Sequence, residues 1–316
     1  SFIGDCTLAP HQNTQDYFNK VGDDYAYPFA NTVQYFADDE YTFANLECTF
    51  SDRNLSAVGY PTFYFRAPTS YVNILLEGGV DFVTTANNHL NDFGDKGVED
   101  TYATLDNAGL PYGKVGQAQV VTTKNGIKIG IYCGFNINDG YFVPKTDECI
   151  DAINQMKADG AEYIVMAFHW GKELYYKPTQ KMIDLAQACI DAGADLIYGT
   201  HPHVLGPIVE YNGGIIMYSV GNWSFGGNTQ PTDQDTAIIQ VTIKRDLDGS
   251  ITTEGYDAIP CCVSSNMSGG VGYNDYKPTP YPEDNEGCKR VLSKLDMNSG
   301  WENANKDYSA WYSAWG

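Results

Sequence analysis

Apolar and polar positions along this chain switch repeatedly between a helical period and short β-rich runs. In three places the switch has one grammar: a helical stretch ends on Gly, a small or apolar residue and an acid follow, and an apolar run leads to a histidine. The three are Gly79-Val80-Asp81 leading to His89, Gly160-Ala161-Glu162 to His169, and Gly193-Ala194-Asp195 to His201. The Gly is the expected helix C-cap. The pattern predicts helices over Thr69–Glu77 with Thr69 as the cap, from the Asp92–Gly97 turn to Ala108, over Cys149–Ala158, over Thr179–Ala192 after Pro178, and over Glu286–Leu295, with a short one at Asn31–Ala37. Strands are predicted at the very start of the chain, ending at Asp5, over Tyr41–Glu47 and Val80–Ala86, and over Ile127–Cys133 after the hairpin turn Lys124-Asn125-Gly126. Further strands run up to His169 and His201, then over Ile215–Val220 and Ala237–Ile243, and no helix separates the last two, so that half is expected to be antiparallel. Asp246–Gly249 marks a last hairpin turn. Residues 8–28 and 51–68 read as loops, and beyond Pro260 the chain is loop-rich, closing on a Trp- and Tyr-bearing tail from Trp301 to Trp315 that packs back or tethers.

Helices alternating with strands indicate an α/β fold. Of the five histidines, His89, His169, His201 and His203 fall just past strand ends, on what reads as one edge of one sheet. Ligands collect at that edge in open α/β sheets. In an extended His201-Pro202-His203 segment both imidazoles project the same way. If Asp5, Glu47 and Asn88 converge with His169, His201 and His203, the six supply a mixed carboxylate, amide and imidazole set suited to Mn, Fe or Zn. Six such ligands exceed the three of a typical catalytic zinc site, which points to two ions sharing one carboxylate and to hydrolysis.

Charge changes the picture of the partner. The 316 residues carry 19 basic against 40 acidic side chains, a net charge of -21. That excludes a nucleic-acid or anionic-membrane surface, which needs clustered Lys and Arg. An anionic substrate must then be held locally, by metal or by a few arginines, and Arg66 is the candidate for gripping a carboxylate or phosphate with its planar fork. No apolar run reaches the ~18 residues of a membrane span. The chain opens without Met inside an apparent strand, which reads as a trimmed chain whose targeting segment is absent. Eight Cys fit an exported, oxidised protein, with a cytosolic thiol protein as the alternative.

Seven motifs in unbroken order carry a resemblance over residues 2–245: Gly4-Asp5, Asn45-Leu46-Glu47, Arg66-Ala67-Pro68, Ala86-Asn87-Asn88-His89 with Asp92-Phe93-Gly94, His169-Trp170-Gly171, Gly199-Thr200-His201-Pro202-His203-Val204 and Tyr218-Ser219-Val220-Gly221-Asn222. Together they resemble the capsule-synthesis CapA (PgsA-like) family of the calcineurin-like metallophosphoesterase superfamily. The resemblance implies two packed mixed β-sheets flanked by helices, an α/β/β/α sandwich, over residues 1–245, with 246–316 as a loop-rich extension. It also implies a role in making, anchoring or trimming a poly-γ-glutamate capsule outside the cytoplasm, beside membrane-bound synthase partners. Position by position, Asp5 and His203 would hold one divalent ion, Asn88, His169 and His201 the other, and Glu47 would bridge them. His89 would donate a proton to the leaving group, oriented by Asp92, and Asn45, Arg66, Trp170 and Asn222 would contact substrate. The superfamily's first motif, Asp-x-His, is here Asp5-Cys6-Thr7, and the acid that usually follows the third-motif His is here Leu90. Two functions stand open: a metal-dependent hydrolase of an amide or phosphoester, and a non-catalytic surface subunit of a polyglutamate synthase whose metal site is vestigial or binds polymer. Cys6 and Cys48 each follow a proposed ligand on strands expected to be neighbours, so a disulfide between them is expected. Cys261 and Cys262 are expected to pair elsewhere or stay reduced.

Overall fold

Residue alternation within the strands sorts the chain into three apolar layers. A computed structural model describes residues 1–11, 15–58 and 63–302. In chain order the strands are β1 (Phe2–Thr7), β2 (Phe43–Leu46), β3 (Thr49–Phe50), β4 (Arg66–Ala67), β5 (Phe82–Thr84), β6 (Tyr112–Gly113), β7 (Ala118–Thr122), β8 (Lys128–Gly134), β9 (Tyr163–His169) and β10 (Leu196–Thr200). They continue as β11 (Ile208–Tyr211), β12 (Gly214–Met217), β13 (Asn222–Phe225), β14 (Asp235–Arg245), β15 (Ile251–Cys262) and β16 (Thr279–Pro280). The helices are α1 (Asp16–Val21), α2 (Val72–Glu77), α3 (Gly94–Ala108), α4 (Thr146–Ala158), α5 (Gln180–Asp191) and α6 (Glu286–Leu295).

The first sheet has the order β16-β15-β14-β1-β2-β5-β6, with β13 also on β1, and the second β11-β12-β10-β9-β8-β7. Each is parallel at its centre and antiparallel at an edge. Phe2, Phe43 and Phe82 of the first sheet face Ile131, Val165, Leu196 and Tyr198 of the second across the middle layer. Their sequence neighbours Ile3, Ala44 and Val83 point the other way, toward α2 and the aromatic loops, while Ile164, Met166, Phe168 and Ile197 lie under α4 and α5. Period two on both sheets thus builds a helix–sheet–sheet–helix sandwich. Tyr198 ties the layers, its hydroxyl donating to Ile3 O at 2.6 Å.

Several expectations change. Residues 8–28 are not all loop: α1 lies there, burying Tyr17 and Val21, though six residues are too few for a readable period. Residues 31–37 form no α-helix; tight 3₁₀ turns at Tyr27–Phe29 and Val33–Tyr35 tuck Phe29 and Phe36 into the core instead. Thr69 does not cap α2, since its backbone already belongs to a 3₁₀ turn and its hydroxyl bonds Asp52. The strand at 215–220 is cut to β12, which runs parallel to β10. The cause is β11, which turns back through Asn212-Gly213, both at positive φ as a two-residue hairpin requires. Cys6 and Cys48 are buried free thiols, as are Cys261 and Cys262, so the expected disulfide is absent. The tail beyond Glu302 lies outside the described residues.

The segment after Arg245 continues the first sheet as β15, and α6 packs on β14 and β15. A buried charge network anchors that helix. Lys294 Nζ donates to Asp233 at 2.6 and 2.7 Å and to Asp235 at 2.6 Å, and Arg290 takes Asp235 through two bonds of 2.6 Å. Burial opposes the charge on Asp235, but Arg290 and Lys294 outweigh it and hold the carboxyl below its ordinary value. Removing one partner of such a set strands the others in low dielectric. Lys294→Met is therefore expected to cost about 3–5 kcal/mol of unfolding free energy in a denaturant titration; a loss under ~1 kcal/mol would show the network to be solvated and weak.

Candidate metal centre

The C-terminal ends of parallel strands from both sheets meet at one rim. Asp5 lies within β1, Glu47 follows β2, and Asn88 and His89 follow β5, all from the first sheet; His169 ends β9, and His201 and His203 follow β10 in the second. The rim is thus shared by two sheets rather than lying along one. Glycine makes the approach of the strands close enough: a Cβ on Gly4 would sit 2.1 Å from Gly221 O, and one on Gly199 2.3 Å from Tyr218 O. Asp5 N–H then reaches Gly221 O at 3.0 Å.

The six expected ligands come together. Ligand atoms of Asp5, Glu47 and His169 lie within 4.8 Å of one another, as do those of Glu47, His201 and His203. His169 Nε2 is 2.7 Å from Asn88 Oδ1 and 3.1 Å from His201 Nδ1, and His203 Nδ1 is 3.1 Å from Asp5 Oδ2. His201 and His203 are not extended, however; both adopt left-handed backbone, φ 97° and 56°, so the rings converge by strain rather than by strand alternation.

Supporting side chains fix these groups. Asn45 Nδ2 donates to Asp5 Oδ1 at 2.9 Å and lies 3.3 Å from His169 Nδ1, and Thr200 Oγ1 lies 3.0 Å from the same nitrogen. Asn87 Oδ1 accepts from the backbone N–H groups of His89 and Leu90, shaping the turn that carries His89, while its amide donates to Asn45 Oδ1 and Leu46 O. His89 Nδ1 is 3.0 Å from Asp92 Oδ2, and that oxygen also accepts from Phe65 N–H at 2.8 Å.

Three expected substrate contacts fall elsewhere. Arg66 donates through Nη1 to the carbonyls of Arg53 and Leu55 and lies over Phe93, and it is not among the residues lining the cavity in front of the cluster. Trp170 is wholly enclosed, donating to Tyr218 O at 3.0 Å and stacking on that ring. Asn45 is buried behind the carboxylates. Asn222 does face the cavity in front of the cluster, with Oδ1 2.9 Å from His203 Nδ1. Residues that the sequence reading missed are Thr200 and the cavity walls Phe65, Glu173, Phe225 and Asp233. Thr200 sat inside a recognised motif; Phe225 closes the short strand β13, and Phe65, Glu173 and Asp233 lie outside the long strands and helices, where there is no periodic signal.

Electrostatics favour a cation. Burial drives the Glu47 carboxyl well above its ordinary value, Asp5 adds to this and His203 opposes it. Burial, then the neighbouring imidazoles, hold His169 and His201 well below the usual imidazole range, which keeps their lone pairs available. At His203 burial opposes the charge, but Glu47 and Asp5 prevail and push it up to about 10. Among the described residues, Glu47 Oε1 is one of few buried side-chain atoms with no hydrogen-bond partner. An orphaned carboxylate oxygen beside the neutral imidazoles of His169 and His201, with His203 taking up positive charge against the same acids, is what a divalent ion would satisfy, so the residues fit the group that the donor set suggests.

Two mixed sheets between helices, with acids, an amide and imidazoles converging at the strand ends, define a metallophosphoesterase-like protein. The chain belongs to the family described as bacterial capsule synthesis protein PGA_cap, which matches residues 1–226. It is 29% identical over 266 residues to the capsule biosynthesis protein CapA of Bacillus anthracis, covering 77% of this chain and 63% of that protein. It is 25% identical over 321 residues to the PGA biosynthesis protein CapA of Bacillus subtilis, covering 96% and 79%. A Mycobacterium tuberculosis protein named as a probable polyglutamine synthesis accessory protein is 26% identical over 163 residues, 43% of each chain. The chain thus spans less than two thirds of the anthracis protein's length. No helix among the described residues is long and apolar enough to cross a membrane.

Proposed function

We propose that this protein is a metal-dependent hydrolase of poly-γ-glutamate capsule synthesis, acting outside the cytoplasm on an amide or phosphoester of the polymer or its precursor, beside a membrane-bound synthase. The observation that carries this reading is the orphaned Glu47 carboxylate at the meeting point of Asp5, His169, His201 and His203. Those five, with Asn88, would hold one or two ions of Mn, Zn or Fe, with Glu47 shared between them. A divalent cation there supplies Lewis acidity toward a carbonyl or phosphoryl oxygen and acidifies water. The chain's own groups do the rest. Asp92 accepts from His89 Nδ1, leaving Nε2 as the atom that hands a proton to the leaving group in the cavity. Phe65 and Phe225 pack against His89 and His203, ring centroids 4.8 and 5.0 Å apart, fixing the imidazoles and excluding water.

The test is elemental analysis of protein purified without chelator, then turnover of a generic phosphodiester and of γ-linked glutamyl oligomers with Mn, Zn or Fe. One or two equivalents of ion and metal-dependent cleavage of either substrate are expected. Inertness of every metal-loaded preparation would overturn the hydrolase reading in favour of a non-catalytic surface subunit. Thr7 occupies the place of the superfamily's first-motif imidazole, and that replacement favours the second reading.

A further inference from the structure

Among the described residues Thr7 Oγ1 is, like Glu47 Oε1, a buried side-chain atom with no hydrogen-bond partner. The strand register brings these two oxygens to neighbouring positions. Asp5 pairs with Asn45 and Cys6 with Leu46, and Glu47 N–H donates to Cys6 O at 3.0 Å, so the next step of the ladder sets Thr7 beside Glu47. Cys6 and Leu46 point into the outer layer against α2, and period two sends Thr7 and Glu47 out on the opposite face, with Asp5 and Asn45. The other side of Thr7 is fixed by β13 and the residue after it, since Gly226 N–H donates to Thr7 O at 2.8 Å. Buried hydroxyls in native proteins are paired, and one left over beside an unpaired carboxylate calls for a partner from outside the chain.

The remaining donors fall into two unlike groups. His169 Nε2 stands 2.7 Å from Asn88 Oδ1 and 3.1 Å from His201 Nδ1, which gives two ring nitrogens with one oxygen. His203 Nδ1 stands 3.1 Å from Asp5 Oδ2 and 2.9 Å from Asn222 Oδ1, which gives one ring nitrogen with two oxygens. Glu47 Oε1 serves both, 3.6 Å from His169 Nε2 and 3.8 Å from His203 Nε2. Thr7 belongs to the second group by position, two residues along β1 from Asp5. Its hydroxyl adds a third oxygen where the Asp-x-His motif would add a second nitrogen. Nitrogen-rich sets suit Zn or Fe, and carboxylate, amide and hydroxyl oxygens suit Mn or Mg.

We propose, on the metal-centre reading above, that Thr7 is a cation-binding residue: its hydroxyl completes an oxygen-dominated position with Asp5, Asn222 and His203. That position takes a hard divalent ion, Mn or Mg, and holds it more loosely than the position around His169 and His201 holds its own. The protein then keeps one ion through dilution and exchanges the other.

Calorimetric titration of the chelator-treated full chain with Mn and, separately, with Zn reads this directly, on the wild type, Thr7→Val and Thr7→Ser. Val is nearly isosteric with Thr and removes a hydroxyl that bonds nothing in the protein, so the chelator-treated variant is expected to unfold at no lower denaturant concentration than the wild type. Two binding steps are expected for each ion, with a smaller Zn-over-Mn preference in the weaker step. Thr7→Val is expected to weaken the weaker step by roughly tenfold or more and to leave the stronger one unchanged, while Thr7→Ser keeps both. Two steps that Thr7→Val leaves untouched, an equal loss from both, the same Zn-over-Mn preference in both, or a single step in the wild type would each overturn the role of Thr7 and leave the metal centre standing. A lowered unfolding midpoint in Thr7→Val would show that the hydroxyl has a partner within the protein, with the same consequence. No binding of either ion by the wild type would overturn the metal centre and the role of Thr7 together. Turnover enters none of these readouts.

Discussion

Glu47→Gln is expected to lower divalent-cation affinity by on the order of 100-fold or more while making the cation-free protein more stable, by about 1–2 kcal/mol. The two effects have opposite signs for one reason. Glu47 is buried beside Asp5, its Oε1 has no hydrogen-bond partner, and its carboxyl is driven well above its ordinary value first by burial and then by Asp5. Without a cation the ionised group is therefore a liability, and a neutral amide of the same shape relieves both the desolvation and the like-charge contact. With a cation the same carboxylate would be the shared anionic ligand. Loss of supporting groups alone typically costs 10–100-fold in affinity, and loss of the ligand itself should cost at least the upper end of that range. Metal content by elemental analysis and unfolding of the chelator-treated protein by denaturant measure the two halves separately. A carboxylate kept for an ordinary internal ion pair would behave in reverse: the amide would destabilise the cation-free fold and leave ion content unchanged.

His89→Asn is expected to leave metal content intact and reduce turnover by roughly 10²–10⁴-fold, the usual contribution of a positioned proton donor. His89 is hydrogen-bonded to Asp92 and lines the cavity, and it stands outside both compact ligand groups. A ligand would lose ion when replaced; a proton donor loses only rate. The loss should be smallest on substrates whose leaving group is acidic enough to depart without protonation, so comparing a nitrophenyl ester with an alkyl ester checks the assignment. An equal loss on both, or a fall in bound metal, would remove His89 from that role.

The repeated Gly-acid-strand-His grammar made β5, β9 and β10 and the histidines after them readable, because an apolar run bounded by a helix cap and a polar end is a local signal. Asp5, Glu47 and Asn88 were readable only through motif order, since nothing local says that the ends of β1, β2 and β5 meet β9 and β10. That the rim belongs to two sheets was hidden for the same reason: Tyr198 facing Phe2 and Phe43 is a contact between residues more than 150 positions apart. The Asn212-Gly213 pair is a hairpin signal in the sequence, but β11 and the parallel course of β12 were not among the expectations. Arg66 was singled out from composition, which counts cations without saying what they bond, and its Nη1 bonds the carbonyls of Arg53 and Leu55. Glu173 and Asp233 sit on irregular loops, where neither period nor capping speaks.

The position of β1 has a consequence for how the molecule is assembled. β1 lies between β2 on one side and β13 and β14 on the other, so half of its ladder comes from residues beyond 221. A chain made only as far as β12 would carry Asp5 on an open edge, exposed to pairing with foreign strands, until β13 and β14 follow to cover it. The donor set at the rim is therefore a late product of folding, and a ribosome-bound or truncated chain stopping short of β13 should be sticky and unable to retain an ion.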